Sequence, residues 1–292
     1  MENKKVKMPL AMVVIRKLFP VVEKLMPALA HLWAFSLFFK PIRFPWPERE
    51  LPMKQSATKF RMSVGQLDIQ CYSWGQGPVV LFVHGWAGRG TQFFKFVQPF
   101  VEKGFKVVTF DGPAHGESSG KSTNIIEFQQ VLASLEDYYQ EICAVVTHSF
   151  GGAATIFAMS EGLKVPSLVN ISSPSSGSKI IAEFLKKING PPRVANYFNK
   201  LVREKFGRSF DSFSSEVLVR TLPPFNLLLI HDEHDKEVGI EQAEKIKALT
   251  PGSELMVTSL LGHTRILRND KVIDKSLAFV VESNRKPELI ST

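Results

Sequence analysis

One short stretch carries the strongest chemical signal: Ala144-Val145-Val146-Thr147-His148-Ser149-Phe150-Gly151-Gly152-Ala153-Ala154. Its apolar, β-branched opening reads as a buried strand, and the small-residue run that follows without a gap reads as a helix. A strand that becomes a helix within about two residues leaves Ser149 on a tight, strained corner. The corner lifts the hydroxyl out of the sheet, and the helix start turns free backbone N–H groups toward the same spot. Gly151 and Gly152 are expected where a side chain would collide with a neighbouring strand. A serine so placed is a candidate nucleophile for acyl transfer. Its hydroxyl reacts poorly at neutral pH, so the chain must also supply a base, a group that orients the base, and donors for an oxyanion. Without them the stretch is an ordinary strand–turn–helix with an inert serine.

The stretch resembles the nucleophile elbow, Gly-x-Ser-x-Gly, of the α/β-hydrolase superfamily, with Thr147 in the place of the first glycine. Upstream, the apolar run Val79-Val80-Leu81-Phe82-Val83 ends in His84-Gly85-Trp86-Ala87-Gly88-Arg89-Gly90. That loop is similar to the His-Gly-x loop of the superfamily, and the resemblance makes Trp86 and Phe150 the backbone N–H donors of an oxyanion hole. Asp111-Gly112-Pro113-Ala114-His115-Gly116-Glu117-Ser118 looks like the Asp-x-x-Gly-x-Gly-x-Ser loop of these hydrolases. Asp111 and His115 therefore read as parts of a loop clasped by its own hydrogen bonds rather than as catalytic groups. After the apolar run at 225–230 comes His231-Asp232-Glu233-His234-Asp235-Lys236-Glu237-Val238. Its histidines are three apart in a loop, not the i, i+4 pair of a helical metal site, so neither a metal nor a cofactor is expected. Similarity to the pattern Gly-x-x-Asp-x-x-Val makes Asp235 the triad acid, with Asp232, in the glycine's place, as a rival. Leu261-Gly262-His263, beyond the last strand, resembles the loop of the catalytic histidine. The order Ser149, Asp235, His263 is that of the superfamily.

The resemblance spans residues 58–282 and implies a serine hydrolase that cleaves a small-molecule carboxylic ester through an acyl-enzyme on a Ser149–His263–Asp235 triad. Two other classes stay open. One is an acyltransferase or a peptidase/amidase on the same triad. The other is a non-catalytic lipid- or ligand-binding module of this fold, against which stands the presence of all three side chains.

These residues need a scaffold whose strand ends bring them together. Phe60, Met62 and Val64, then Leu67, Ile69 and Cys71, alternate with polar residues around Gly65-Gln66, the pattern of a hairpin. Alternation of apolar strands with helical segments then predicts an α/β fold: a mostly parallel central sheet with helices on both faces, a small helical cap insertion and an N-terminal helical arm. The expected boundaries are an arm at 1–50, core at 51–173, cap at 174–222 and core again at 223–292. The cap repeats apolar residues at helical spacing, among them Ile181, Phe184, Leu185, Phe198 and Val202. It also holds nine basic residues against four acidic ones, +5 of the chain's net +8.

The arm permits three readings. Lys4, Lys5 and Lys7 before an apolar stretch resemble a secretory leader, but Arg16, Lys17, Glu23 and Lys24 interrupt it. The same lysines with Trp33 and several phenylalanines suit an interfacial helix on anionic membrane. The preferred reading is a helical arm packed on the domain's own surface. Pro20 and Pro27 are expected to divide it into separate helices. Its longest uncharged run, residues 25–39, is 15 residues, short of the ~20 a spanning helix needs.

Composition sets the outer limits. The chain's 292 residues, 44% hydrophobic, suffice for one large core. Cys71 and Cys143, in apolar runs, read as buried reduced thiols rather than a disulfide. The pI near 9.4 comes without an arginine-rich tract interleaved with aromatics, so no nucleic-acid partner is expected. The expected location is cytoplasmic, with peripheral contact to anionic membrane through residues 1–40 or the basic cap as the alternative.

Overall fold

Eight strands are found in the computed structural model, which describes residues 10–285. They are β1 (Thr58–Val64), β2 (Leu67–Trp74), β3 (Val79–Val83), β4 (Lys106–Phe110), β5 (Ala144–His148), β6 (Ser167–Ile171), β7 (Asn226–Asp232) and β8 (Glu254–Thr258). They form one sheet in the order β1-β2-β4-β3-β5-β6-β7-β8. β1 and β2 make the antiparallel hairpin, β2 pairs antiparallel with β4, and every pairing from β4 to β8 is parallel.

The central strands are apolar without a break because both faces are covered. Side chains alternate across a strand, so Val79, Leu81 and Val83 of β3 join one core while Val80 and Phe82 join another. The same split divides Val145 from Val146 in β5, and Leu227 and Leu229 from Leu228 and Ile230 in β7. The first core is closed by the helices Ile125–Tyr139 and Phe150–Ser160, the second by Phe94–Glu102 and Asp270–Ser283. A strand sandwiched in this way cannot slip by one residue without exchanging its two cores. The strand ends, where the chemistry sits, are therefore fixed in register.

The chain divides into two compact units. One holds this sheet, from Lys40–Ser175 and from Phe213 onward; the other joins the N-terminal residues up to Phe39 with Ser176–Ser212. In the second unit the helices Leu10–Leu25, Pro27–Phe38, Gly177–Lys187 and Val194–Phe206 close around Phe19, Ala30, Ala34, Ile181, Leu185 and Phe198. Phe38 meets Phe184, Phe198 and Phe210 edge-on, and buried Glu23 accepts from Arg193 Nε at 2.9 Å. Thus N-terminal residues and the insertion share one core, while residues 40–50 and 213–222 go with the sheet. Lys4, Lys5 and Lys7 lie outside the described residues.

Pro20 differs from the expectation. Leu10–Leu25 runs through it as one helix. A proline leaves the carbonyl four residues back without its helical partner. Here that carbonyl, of Arg16, accepts from Asn189 Nδ2 at 3.2 Å, and the Arg16 guanidinium returns a bond to Asn189 Oδ1 at 3.0 Å. The partner stands just beyond the end of the insertion helix Gly177–Lys187, so the break is repaired. Pro27 does open a helix, where its missing N–H costs nothing.

Candidate active site

Ser149 stands between β5 and the helix Phe150–Ser160 with φ 53° and ψ −127°, a conformation that costs a non-glycine residue about 1–3 kcal/mol. Its backbone is held from both sides: the Ser149 N–H donates to Ile171 O and its carbonyl accepts from the Gly152 N–H, each at 2.9 Å. The loop after β3 presses on this corner. A Cβ on Gly85 would lie 2.8 Å from Ser149 Cβ, and one on Gly151 would lie 2.3 Å from Val83 O, so both positions exclude any side chain. Thr147, where the motif carries glycine, is fully buried and spends its hydroxyl on β6, toward Val169 O at 3.2 Å and Asn170 Oδ1 at 3.0 Å.

Two loops far apart in sequence complete the constellation. His263 Nε2 is 2.9 Å from Ser149 Oγ, and His263 Nδ1 is 2.7 Å from Asp235 Oδ2. Asp235 Oδ1 accepts the N–H groups of Glu237 at 2.8 Å and Val238 at 3.1 Å, which fixes the rotation of the carboxylate. Burial pushes the Asp235 carboxyl up, but the His263 bond and charge and those two N–H groups outweigh it and hold it below the usual carboxylate range. An ionised Asp235 accepts Nδ1–H, so the Nε2 lone pair faces the Ser149 hydroxyl. That arrangement can remove the serine proton.

Asp232, the sequence rival, makes no bond to His263. It accepts from Thr258 Oγ1 and the Leu261 N–H at 2.9 Å and from the His234 N–H at 3.0 Å, and so anchors the loop that carries His263. The nearby histidines do not converge on a shared centre. His231 is buried with Nε2–H donating to Val238 O at 2.8 Å, while the His234 side chain is half exposed.

Trp86 and Phe150 lie at the same corner, their rings edge to face with centroids 5.3 Å apart. Among the described residues neither backbone N–H donates to a protein acceptor. The Trp86 segment is tied down on both sides. Gly85 O accepts from His84 Nδ1–H at 2.7 Å, and the Ala87 N–H donates to His115 Nε2 at 3.0 Å. His115 Nδ1–H in turn donates to Pro113 O at 2.9 Å. Asp111 works the same way, accepting from the N–H groups of Gly90 and Glu117 and from the Tyr72 hydroxyl. The Asp111–Ser118 loop therefore braces the Trp86 loop.

Two buried histidines, His84 and His148, have no counterpart in the sequence reading as positioning groups. His148 donates Nε2–H to the backbone carbonyl of His263 at 2.8 Å, tying the elbow to the histidine loop. Burial lowers its pKa to about 3, that of His84 to about 4, and that of His115 well below the ordinary value. The available signal was position: His148 and His84 each stand at the end of an unbroken apolar strand, where a polar ring must spend its nitrogens on neighbouring backbone.

Comparison with known proteins gives concordant results. A family model described as alpha/beta hydrolase fold matches residues 78–227. The human serine hydrolase-like protein is 30% identical over 105 residues, 32% of this chain and 50% of the relative. The magnesium-chelatase 30 kDa subunit of Rhodobacter capsulatus is 29% identical over 128 residues, 42% of this chain and 44% of the relative. The chain thus spans half or less of the length of these curated relatives. An esterase of Pyrococcus furiosus shares the fold with a TM-score of 0.62 at 21% identity, over 83% of this chain and 96% of its own.

Proposed function

The chain belongs to the α/β-hydrolase family, and from that premise we propose that it is a serine hydrolase cleaving a carboxylic ester, with Ser149 as nucleophile, His263 as base and Asp235 as the acid that orients it. The observation that carries this reading is the pair of short contacts in line, 2.9 Å from hydroxyl to imidazole and 2.7 Å from imidazole to carboxylate. Ser149 Oγ adds to the ester carbonyl as its proton passes to His263 Nε2. The carbonyl oxygen becomes an oxyanion and takes the Trp86 and Phe150 N–H groups, each contributing about 3 kcal/mol in the transition state. Collapse breaks the ester C–O bond, and the leaving alkoxide receives the proton from His263, leaving the acyl group on Ser149. Water, deprotonated by the same imidazole, then releases the carboxylic acid and restores the serine. The Nδ1 proton stays on His263 throughout, donated to the ionised Asp235, which stabilises the imidazolium.

A fluorophosphonate probe tests the assignment. It should label the parent protein and not Ser149→Ala, and the variant should lose turnover of an activated short-chain ester. Full activity in Ser149→Ala would refute it. Adding alcohols or amines to the same assay separates hydrolysis from acyl transfer by product.

A further inference from the structure

The N-terminal helix Leu10–Leu25 has two apolar faces. Met12, Ile15, Phe19 and Val22 pack into the core shared with the insertion helices. Val14, Leu18, Val21 and Leu25 follow at spacings of four, three and four, which gathers them on another face. These four are 45%, 49%, 55% and 72% exposed. Met26 between the two helices and Leu29 and Leu32 on Pro27–Phe38 are each just over half exposed as well. A single exposed leucine needs no explanation, but four large apolar side chains on one helical face, with three more exposed on the next helix and at its start, make a patch that calls for a partner.

Charge indicates the partner. Within the described residues this unit carries 11 basic and four acidic side chains, a net +7; the sheet unit carries 21 and 22, a net −1. The net positive charge of the described residues thus resides in the unit that bears the patch. Lys17 and Lys24, both exposed, each follow a patch valine by three residues and so flank the row on one side. A second copy of the chain would bring the same positive field against this one and is opposed by it. Among the described residues no helix is long and apolar enough to cross a membrane, so the geometry is that of a helix lying in the interface plane. We propose that this face docks on an anionic phospholipid bilayer, with Leu18, Val21, Leu25 and Leu29 entering the acyl boundary and Lys17 and Lys24 held at the level of the phosphates. The proposal is independent of the esterase reading, because none of these residues belongs to the Ser149 site.

Co-sedimentation of the full chain with vesicles tests it. The protein should bind phosphatidylcholine vesicles containing phosphatidylserine at low salt, bind pure phosphatidylcholine far less, and be released as salt rises. Replacing Leu18, Val21 and Leu25 together by serine should weaken partition by roughly 100-fold. Lys17→Glu with Lys24→Glu should weaken it by about 30-fold on anionic vesicles only. Both variants should keep the parent's melting temperature and its turnover of a soluble ester, which separates this test from that of the active site. Absence of vesicle binding by the parent, or binding unchanged in the triple-serine variant, would overturn the proposal. So would a concentration-dependent dimer abolished by the same serines, or salt-sensitive capture of a soluble polyglutamate in preference to vesicles.

Discussion

Replacing Asp235 by asparagine should disable the site through the tautomer of His263 rather than through lost packing. Asparagine matches aspartate in size. The N–H groups of Glu237 and Val238 both point at Oδ1, so the amide oxygen is retained there and the amide NH2 is forced toward His263 Nδ1. A donor in that place requires Nδ1 to accept, which moves the ring proton to Nε2, facing Ser149 Oγ. The imidazole then has no lone pair for the serine proton. The expected loss in kcat is roughly 1,000- to 10,000-fold, about 4–5.5 kcal/mol of activation free energy. Asp232→Asn supplies the control. That carboxylate serves the Thr258 hydroxyl and the Leu261 and His234 N–H groups, so its amide sets one donor against another and costs about 1–3 kcal/mol of stability. Its kcat should stay within about tenfold of the parent, since the His263 tautomer is untouched. Steady-state kinetics on a soluble activated ester, with chemical denaturation of each variant, read both quantities. A larger loss of kcat in Asp232→Asn than in Asp235→Asn would refute the reasoning and transfer the role to Asp232.

Gly151→Ala should destabilise the sheet unit by more than about 3 kcal/mol, because its Cβ would meet the backbone oxygens of Val83 and His84 and neither can yield; urea denaturation measures it. His115→Ala removes the acceptor of the Ala87 N–H and should lower kcat by about 10- to 100-fold with little change in KM, as expected for a group that positions an oxyanion donor. Stability should fall steeply in mild acid. His84, His115 and His148 have folded pKa values below the ordinary one, about 4 and about 3 for the first and last. They are neutral when folded and take up protons on unfolding, so their contribution is complete above ~6.5 and is lost as pH falls toward the folded values, with a combined slope of about 4 kcal/mol per pH unit near pH 5. Asp111, whose carboxyl burial pushes up, opposes this in part. Urea midpoints that stay level between neutral pH and pH 5 would contradict the burial of neutral rings.

Local pattern made much of this legible. Unbroken apolar runs such as Val79–Val83 read as central strands because both faces are covered, and the hairpin around Gly65 was visible in its period of two. The Ser149 corner was visible because a β-branched run abuts a small-residue run with no room for a loop. What stayed hidden depends on distant partners. Asp235 fits the motif's acid position, but Asp232, three residues earlier at the end of β7, stays a rival until the position of His263 is known. Pro20 reads as a helix break because nothing nearby announces Asn189, 173 residues from Arg16, as the donor to Arg16 O. The shared core of the N-terminal helices and the insertion is hidden for the same reason, since helical periodicity shows which face is apolar but not what covers it.

That shared core has a consequence for how the chain is made. Lys40–Ser175, 136 residues, is synthesised between the two halves of the helical unit. At ribosomal rates of about 5–20 residues per second, Phe19, Ala30 and Ala34 wait roughly 10–30 seconds for Ile181, Leu185 and Phe198 to emerge. Throughout that interval the first two helices are apolar on both sides, which marks them as the segment of the nascent polypeptide most in need of a chaperone or a surface to rest on.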